Sequence, residues 1–413
     1  MSEDKKTLIV IGSGPAGMMA AISAAGLGMK VTVLEQNEKP CRKIYATGNG
    51  RCNFTNMNWK GDVLRGSDVK KAKNIIKAFD NNALIDWFDD IGVPAKKIGD
   101  YVYPNSEQAL SVAEALITEA KQLKIDIICH EKVVDIKHKK NSFEVYTTVG
   151  RYVSDKLVIA VGGKASPIHG SDGSLNGKIK ELGHSIIKQL PALVPLKTDD
   201  KKLEKLAGVR LKCKVTLNID GKATAEETGE IIFNKGNLSG IPIMILSRHA
   251  SSSLAEGKKA GLTLDLFPEY EEHELTEKLQ KLFYDKKAKN KSAYEIMIGY
   301  LNNKLLDFSL REVGINPDKP AYTNKHKNIA ILSEYLKNLR IPVKAAEGFE
   351  KAQVTCGGVP LSELNDGLES LKVPGLYFVG EILDVDGSCG GYNLQWAFSS
   401  GRIVGIYAAG KKS

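Results

Sequence analysis

The chain has 413 residues, of which 42% are hydrophobic, 26% charged and 7% aromatic, proportions that exclude a disordered tail, a fibre and a small disulfide scaffold. At ~100 to 200 residues per domain, this length gives two or three units and room for a cleft that encloses a large ligand. Lys and Arg total 58 against 49 Asp and Glu, a net charge of +9, but the cations fall in short clusters such as 137–140 and 286–291, which read as solvated basic surface and, with no recognition motif beside them, argue against a nucleic-acid role.

Residues 7–29 carry no charge and follow two lysines, which imitates a secretory signal or a short membrane span. Their internal order points elsewhere. Thr7-Leu8-Ile9-Val10-Ile11 is the apolar, β-branched pattern of a strand buried in a parallel sheet. It runs into Gly12-Ser13-Gly14-Pro15-Ala16-Gly17, an alanine-rich helical stretch follows to Gly28, and Val31 to Leu34 forms a second strand closed by Glu35 and Gln36. This is the G-x-G-x-x-G fingerprint in its strand, turn, helix and strand context. Gly12 permits the tight turn, Gly14 the approach of a pyrophosphate, and Gly17 close packing of helix on strand, while the free amides and the helix dipole favour the anion. Glu35 is expected to accept both ribose hydroxyls and to repel a 2′-phosphate, which suits FAD or NAD rather than NADP.

Further on, Cys41 and Cys52 are eleven residues apart with glycines between. Disulfide reductases carry a redox pair five residues apart, so this is not read as one. None of the six cysteines forms a C-x-x-C pair and the seven histidines lack ligand spacing; no metal site is expected, and a reducing cytoplasm is the expected compartment. Lys156-Leu157-Val158-Ile159-Ala160-Val161-Gly162-Gly163 reads as a buried strand entering a glycine turn beside the nucleotide.

From Pro191 the pattern changes. Val209, Leu211, Cys213, Val215, Leu217 and Ile219 are apolar at every second position, and Asp220-Gly221 is a hairpin signal, so an antiparallel sheet or small barrel is expected with Cys213 packed inside. From His273 the period becomes helical, with Leu275, Leu279, Leu282 and Phe283 on one stripe and Ile329, Leu332, Leu336 and Leu339 on another. The insertions are expected to roof a substrate cavity bordered by residues 234–239 and 101–104.

The chain then returns to the first fold. Gly375 to Glu381 is an apolar strand ending in Gly380 and Glu381, expected to lie beside the first strand with its acid on the ribityl chain and pyrophosphate. Asp384 to Gln395 is a small-residue loop that opens a helix whose N-terminus can face the flavin pyrimidine, where amide donors stabilise the negative charge of the reduced ring. No second G-x-G-x-x-G occurs, so one dinucleotide is firmly held, and these later segments favour FAD.

The stretch Thr47-Gly48-Asn49-Gly50-Arg51-Cys52-Asn53-Phe54-Thr55-Asn56, with Gly380-Glu381-Ile382-Leu383-Asp384 and Gly390-Gly391-Tyr392-Asn393-Leu394-Gln395, resembles the bacterial FAD-dependent oxidoreductases of the BaiN-like or aminoacetone-oxidase-like family. The resemblance spans essentially the whole chain, including 229–233, 238–240 and 354–359. It implies an α/β fold, a Rossmann-like two-part FAD-binding domain over 1–190 and 344–413, interrupted by a β-rich, barrel-like insertion at 191–270 and a small helical domain at 271–343. It further implies that Gly12, Ser13, Gly14, Pro15, Ala16, Glu35, Gln36, Lys43, Thr47, Gly48, Gly50, Arg51, Cys52, Asn53, Val134, Ala160, Val161, Gly162, Gly380, Glu381, Asp386, Gly391, Asn393 and Leu394 line the FAD. Lys43 and Arg51 would offset pyrophosphate charge and Val134 would offer backbone polar groups to adenine. Asn49 stands where the family has a third glycine, and Val161 precedes Gly162-Gly163 where it has a threonine.

Hydride transfer between a small organic substrate and flavin N5 is the expected activity, in an NAD(P)H-dependent reductase of an activated double bond with NAD(P)H as a transient donor. An amine oxidase using oxygen and an FAD-dependent tRNA-modifying protein are the alternatives. No acid or base is nominated, and a monomer or weak dimer without membrane attachment is expected.

Overall fold

The computed structural model describes residues 6–411. Two compact units make up the chain, Met1–Leu190 with Gln353–Ser413, and Pro191–Ala352.

In the first unit, β1 (Thr7–Ile11) is buried from Leu8 onward. It pairs in parallel with β2 (Lys30–Leu34) on one side and Lys156–Ile159 on the other. The five-stranded sheet is completed by Asp126–Ile128 beyond β2 and Leu376–Phe378 beyond Lys156–Ile159. The late strand therefore sits one place further from β1 than expected. Lys156–Ile159, itself wholly apolar after its lysine, already fills the edge of β1, and Leu157 to Ile159 offer Leu376 to Phe378 the next one.

Between β1 and β2 runs α1 (Pro15–Gly26), which starts at a proline, a residue suited to a first turn where no amide hydrogen is needed. Residues 16–24 are all buried, so this helix has no wet face. It is covered by the C-terminal helix Tyr392–Ala408, and the small residues of both decide how closely they meet. A Cβ on Gly401 would stand 3.0 Å from Met19 Cβ, and one on Gly405 2.7 Å from Ala20 O. The turn at Gly12 adopts φ 102°, a left-handed conformation that glycine takes without cost, and its amide donates to Leu34 O at 2.9 Å. A three-stranded meander (Val133–Lys139, Ser142–Thr147, Arg151–Ser154) and a small sheet of Thr55–Asn56, Tyr101–Pro104 and Ala95–Ile98 flank this core.

The second unit is built on a seven-stranded antiparallel sheet. Arg210–Ile219 and Lys222–Asn234 form the hairpin announced by Asp220-Gly221, whose φ values of 48° and 80° are those of a tight two-residue turn. Cys213, Val215 and Leu217 are buried at alternate positions. The two end strands, Leu339–Val343 and Ala345–Ala346, are separated by Lys344 alone, so one stretch of chain supplies both edges and the sheet curls back on itself.

Three features differ from the sequence reading. The segment read as β-rich contains the helix Ile241–Ala255. Leu339, counted on a helical stripe, opens a strand, because the helix His326–Lys337 ends two residues earlier. The helices Glu272–Phe283 and His326–Lys337 share one core with the sheet, with Leu275, Leu279, Leu332 and Leu336 packed in the same cluster as Val215, Leu217 and Phe233; the unit is continuous from 191 to 352 rather than divided at 270. Among the described residues no helix is long and apolar enough to cross a membrane.

Candidate functional site

The residues expected to hold the dinucleotide's pyrophosphate come together where β1 meets α1. Gly14 caps the helix with extended backbone and no side-chain cap, and a Cβ placed on it would meet nothing within 4 Å. Pro15 has no amide hydrogen, and the amides of Ala16 and Gly17, in the first turn, have no intrahelical acceptor. Open space before uncommitted donors and a positive dipole end is what a pyrophosphate requires. Gly17 cannot carry a side chain, since its Cβ would run into Gly12 O.

Glu35 is 7% exposed. Its Oε2 accepts from Ser13 N at 3.0 Å and from Ser13 Oγ, and its Oε1 from Asn37 N at 2.8 Å and Asn37 Nδ2 at 2.6 Å. The carboxylate is thus held by four protein donors, and acceptance of ribose hydroxyls asks Ser13 Oγ and Asn37 Nδ2 to give way. Gln36 Nε2 donates to Gly170 O. Nearby, His169 Nδ1 is buried with no partner, and burial, then the charges of Arg42 and Lys43, lower the pKa of this ring. Its neutral ring leaves one polar atom for a ligand at this rim.

Ala160 continues the ladder through Ala160 N to Ile11 O at 2.9 Å; half-buried Val161 and Gly162 follow it out of the sheet, with Gly162 at φ 71°. Val134 lies at a bulge, where pairing steps from Val133↔Thr147 to Asp135↔Tyr146 and skips it. Its side chain is exposed, and its backbone is outside the ladder, as an adenine contact would need.

The second half of the cradle gathers residues far apart in sequence. Lys43 Nζ lies 2.8 Å from Glu381 Oε2, and Glu381 Oε1 accepts from Thr355 N at 2.9 Å. Gly380 N donates to Ser400 Oγ at 3.0 Å. Thr47 to Gly50 form a tight turn with Gly48 and Asn49 in left-handed conformation. Arg51 is ion-paired with Glu107 and sits 4.4 Å above the Tyr103 ring. Both cations expected to face phosphate are therefore tied to carboxylates, Lys43 to Glu381, which is itself expected at the FAD. Asn53 Oδ1 accepts from Val102 N at 3.2 Å. Cys41 and Cys52 are buried; burial pushes both thiols up, Cys52 to about 12, so neither is a nucleophilic thiolate near neutral pH.

Asp386 is 1% exposed on a short strand facing Arg65. Asn393 closes the loop with Gly387, accepting from its amide at 2.7 Å and donating to its carbonyl at 2.9 Å. Gly391 opens the 17-residue C-terminal helix at φ 94° without a side-chain cap, and its first internal bond is Gln395 N to Gly391 O at 3.0 Å. The amides of Tyr392, Asn393 and half-buried Leu394 are left as donors at a positive dipole end. Two uncapped helix starts, the open space at Gly14 and a ribose-type carboxylate fit an extended dinucleotide with a flavin ring.

Thr355 was not singled out from sequence. Its Oγ1 accepts from Lys164 N at 2.7 Å and Ala165 N at 2.9 Å, which fixes the Gly162-Gly163 turn against Glu381; only its place in a Thr-Cys-Gly-Gly run hinted at it. Elsewhere His184 lies 2.7 Å from Glu363 Oε2 and 2.8 Å from Ser370 Oγ, the spacing of a hydrolytic triad. Ser370 Oγ also accepts from Lys372 N and Val373 N at 3.0 and 2.8 Å, so it caps a turn and is not free to act as a nucleophile.

The chain matches the protein family described as HI0933-like protein Rossmann domain over residues 6–407. It is 37% identical over 405 residues, 97% of this chain and 98% of the relative, to the 3-dehydro-bile acid delta(4,6)-reductase of Clostridium scindens. It is 27% identical over 398 residues, 95% of each chain, to the ribosomal RNA dihydrouridine synthase of Escherichia coli. Among solved structures it is similar to the 3-ketosteroid delta1-dehydrogenase of Sterolibacterium denitrificans, with a TM-score of 0.49 and 12% identity over 98% of this chain and 100% of that one. A cradle of this chemistry and a match that runs from end to end lead to one conclusion: the chain belongs to the HI0933-like family and is an FAD-dependent oxidoreductase.

Proposed function

We propose that this flavoenzyme uses NAD(P)H to saturate a carbon–carbon double bond conjugated to a carbonyl group in a small organic molecule. The observation that carries this is the 37% identity, over 97% of the chain, to a reductase whose name denotes double bonds at positions 4 and 6 of a 3-dehydro bile acid. When bound, FAD supplies hydride chemistry at carbon. The chain contributes position and electrostatics: the α1 amides and Glu35 hold the dinucleotide, Lys43 and Glu381 brace its middle, and the helix start at Gly391 sets amide donors where negative charge develops.

A second substrate class has its own support, the 27% identity to a ribosomal RNA dihydrouridine synthase, joined by a net charge of +9. Saturation of uridine is also reduction of a double bond next to a carbonyl, so the two readings share their chemistry and differ in what carries the ring.

Anaerobic reduction by NADH and by NADPH, followed in a stopped-flow instrument, tests both. One nucleotide is expected to bleach the flavin, and 4-androstene-3,17-dione to restore its colour faster than oxygen does. Faster recovery with oxygen would make the protein an oxidase, and recovery only with a uridine-containing RNA would replace the small molecule by RNA.

A further inference from the structure

Tyr101 and Tyr103 share one face of the strand Tyr101–Pro104, with fully buried Val102 on the other. The strand is the middle one of three, with Asn56 opposite Tyr101 on one side and Ile98 on the other. Asn56 Nδ2 donates to Gly390 O at 2.8 Å, and a Cβ on Gly390 would stand 3.0 Å from Tyr101 Cε1. Tyr101 therefore lies against the glycine loop that opens the C-terminal helix. Tyr103 lies beneath Arg51 and 4.0 Å from the Cβ position of Gly48. One strand thus bridges the turn at 48–51, expected beside the pyrophosphate, and the glycine loop expected to face the flavin ring.

The hydroxyls in this neighbourhood are not equivalent. Tyr392 OH donates to Asn58 O at 2.6 Å and is occupied. Tyr101 is 37% exposed, and among the described residues its hydroxyl engages no hydrogen bond within the chain. An accessible phenol held beside the helix start, with its donor unspent, is placed to meet a ligand.

We propose that Tyr101 is a catalytic residue whose O–H donates to the carbonyl oxygen of the conjugated substrate and gives up its proton as the double bond is reduced. This rests on the reductase function proposed above. Hydride, drawn ultimately from NAD(P)H, forms the new C–H bond at the carbon remote from the carbonyl; the π pair moves toward the carbonyl carbon, and the oxygen takes the Tyr101 proton. The enol so formed gains a proton from water at its α-carbon and loses the one on oxygen, while water restores the phenol. The substrate has then gained one hydride and one proton. Burial, followed by the neighbouring Cys389, Tyr103 and Asp100, raises the Tyr101 pKa, so the proton is in place at neutral pH.

The test compares holo wild type, Tyr101→Phe and Tyr103→Phe with 4-androstene-3,17-dione, isotopically labelled at the conjugated carbonyl, as probe. Tyr101→Phe removes only an unpartnered hydroxyl and is expected to keep its flavin. Its kcat is expected to fall ~100-fold or more, the usual worth of a positioned acid, with KM changed far less. In the oxidised, non-turning complex the infrared band of the labelled carbonyl is expected at lower frequency in wild type and Tyr103→Phe than in water-free solvent, and this shift is expected to vanish in Tyr101→Phe. Retention of both the shift and the wild-type kcat by Tyr101→Phe overturns the assignment while leaving the reductase intact. Failure of wild type to reduce or bind the probe overturns the assignment together with the function beneath it.

Discussion

Glu35 makes the sharpest demand on its surroundings. It is a nearly buried carboxylate that satisfies its acceptors with Ser13 and Asn37, and the ribose hydroxyls expected there must compete with those donors. A hydrogen bond to a charged acceptor contributes about 1.5–3 kcal/mol. Glu35→Gln is therefore expected to weaken FAD binding ~10- to 100-fold, read from quenching of flavin fluorescence as FAD is titrated into apoprotein; an unchanged affinity would mean that the carboxylate serves Ser13 and Asn37 alone. Glu363 carries a different kind of load. Burial would raise its carboxyl, but hydrogen bonds from Ser185, Lys372 and His184 outweigh this and hold it at about 2. A depressed folded-state pKa contributes stability above the ordinary value of ~4.3 and loses it as pH falls toward 2. Buried His184, whose pKa is lowered mainly by desolvation, adds loss in the same direction once pH drops below the ordinary histidine value. Glu363→Ala strands His184 Nδ1 and is expected to cost about 1–3 kcal/mol at neutral pH, with a shallower acid-induced loss than wild type in a denaturant series between pH 5 and 2.

At the scale of elements, closeness of approach governs. α1 and the C-terminal helix meet through glycine and alanine, and the two helix starts assigned to the cofactor depend on that contact for their placement. Gly405→Val would press new atoms onto Ala20 O and Ala24 N; overpacking of this kind costs about 1–3 kcal/mol, and the purified variant is expected to carry much less flavin per chain. Gly26→Ala is the matched control, since a Cβ there meets nothing within 4 Å, and it is expected to retain its flavin with unchanged or slightly raised stability. β1, α1 and β2 were legible from sequence because strand, turn and helix each carry their own local signal. The hairpin after Ile219 was legible for the same reason. The helix Ile241–Ala255 was not: its Ile-Pro-Ile-Met-Ile-Leu start resembles a buried strand, and what makes it helical is its packing against the neighbouring sheet. Leu339 fell on a helical stripe by spacing alone, and its strand partner Leu264 lies 75 positions away. Of the cradle, the fingerprint residues could be read directly. The bond from Lys43 to Glu381 and the bridge that Tyr101 makes to Gly390 join positions hundreds of residues apart, and no local pattern encodes them.

For the whole molecule, the two separate hydrophobic cores make a linkage experiment decisive. Every residue assigned to FAD lies in the unit Met1–Leu190 with Gln353–Ser413, as do all three tryptophans, Trp59, Trp87 and Trp396. Trp396 is anchored by its indole nitrogen to Gly380 O at 3.0 Å, at the end of the strand that leads to Glu381. Tryptophan emission therefore reports on the unit to which the cofactor is assigned. A ligand that binds only the folded form stabilises it by about 2.7 kcal/mol at a hundredfold excess over its Kd, so the tryptophan-detected unfolding midpoint is expected to rise with added FAD. The amides of the hairpin Arg210–Ile219 and Lys222–Asn234 lie in the other core, and their hydrogen-exchange protection is expected to stay where it was. Equal gains in protection at that hairpin and at β1 would mean that the two units unfold as one, and would remove the separation of cofactor binding from the inserted sheet.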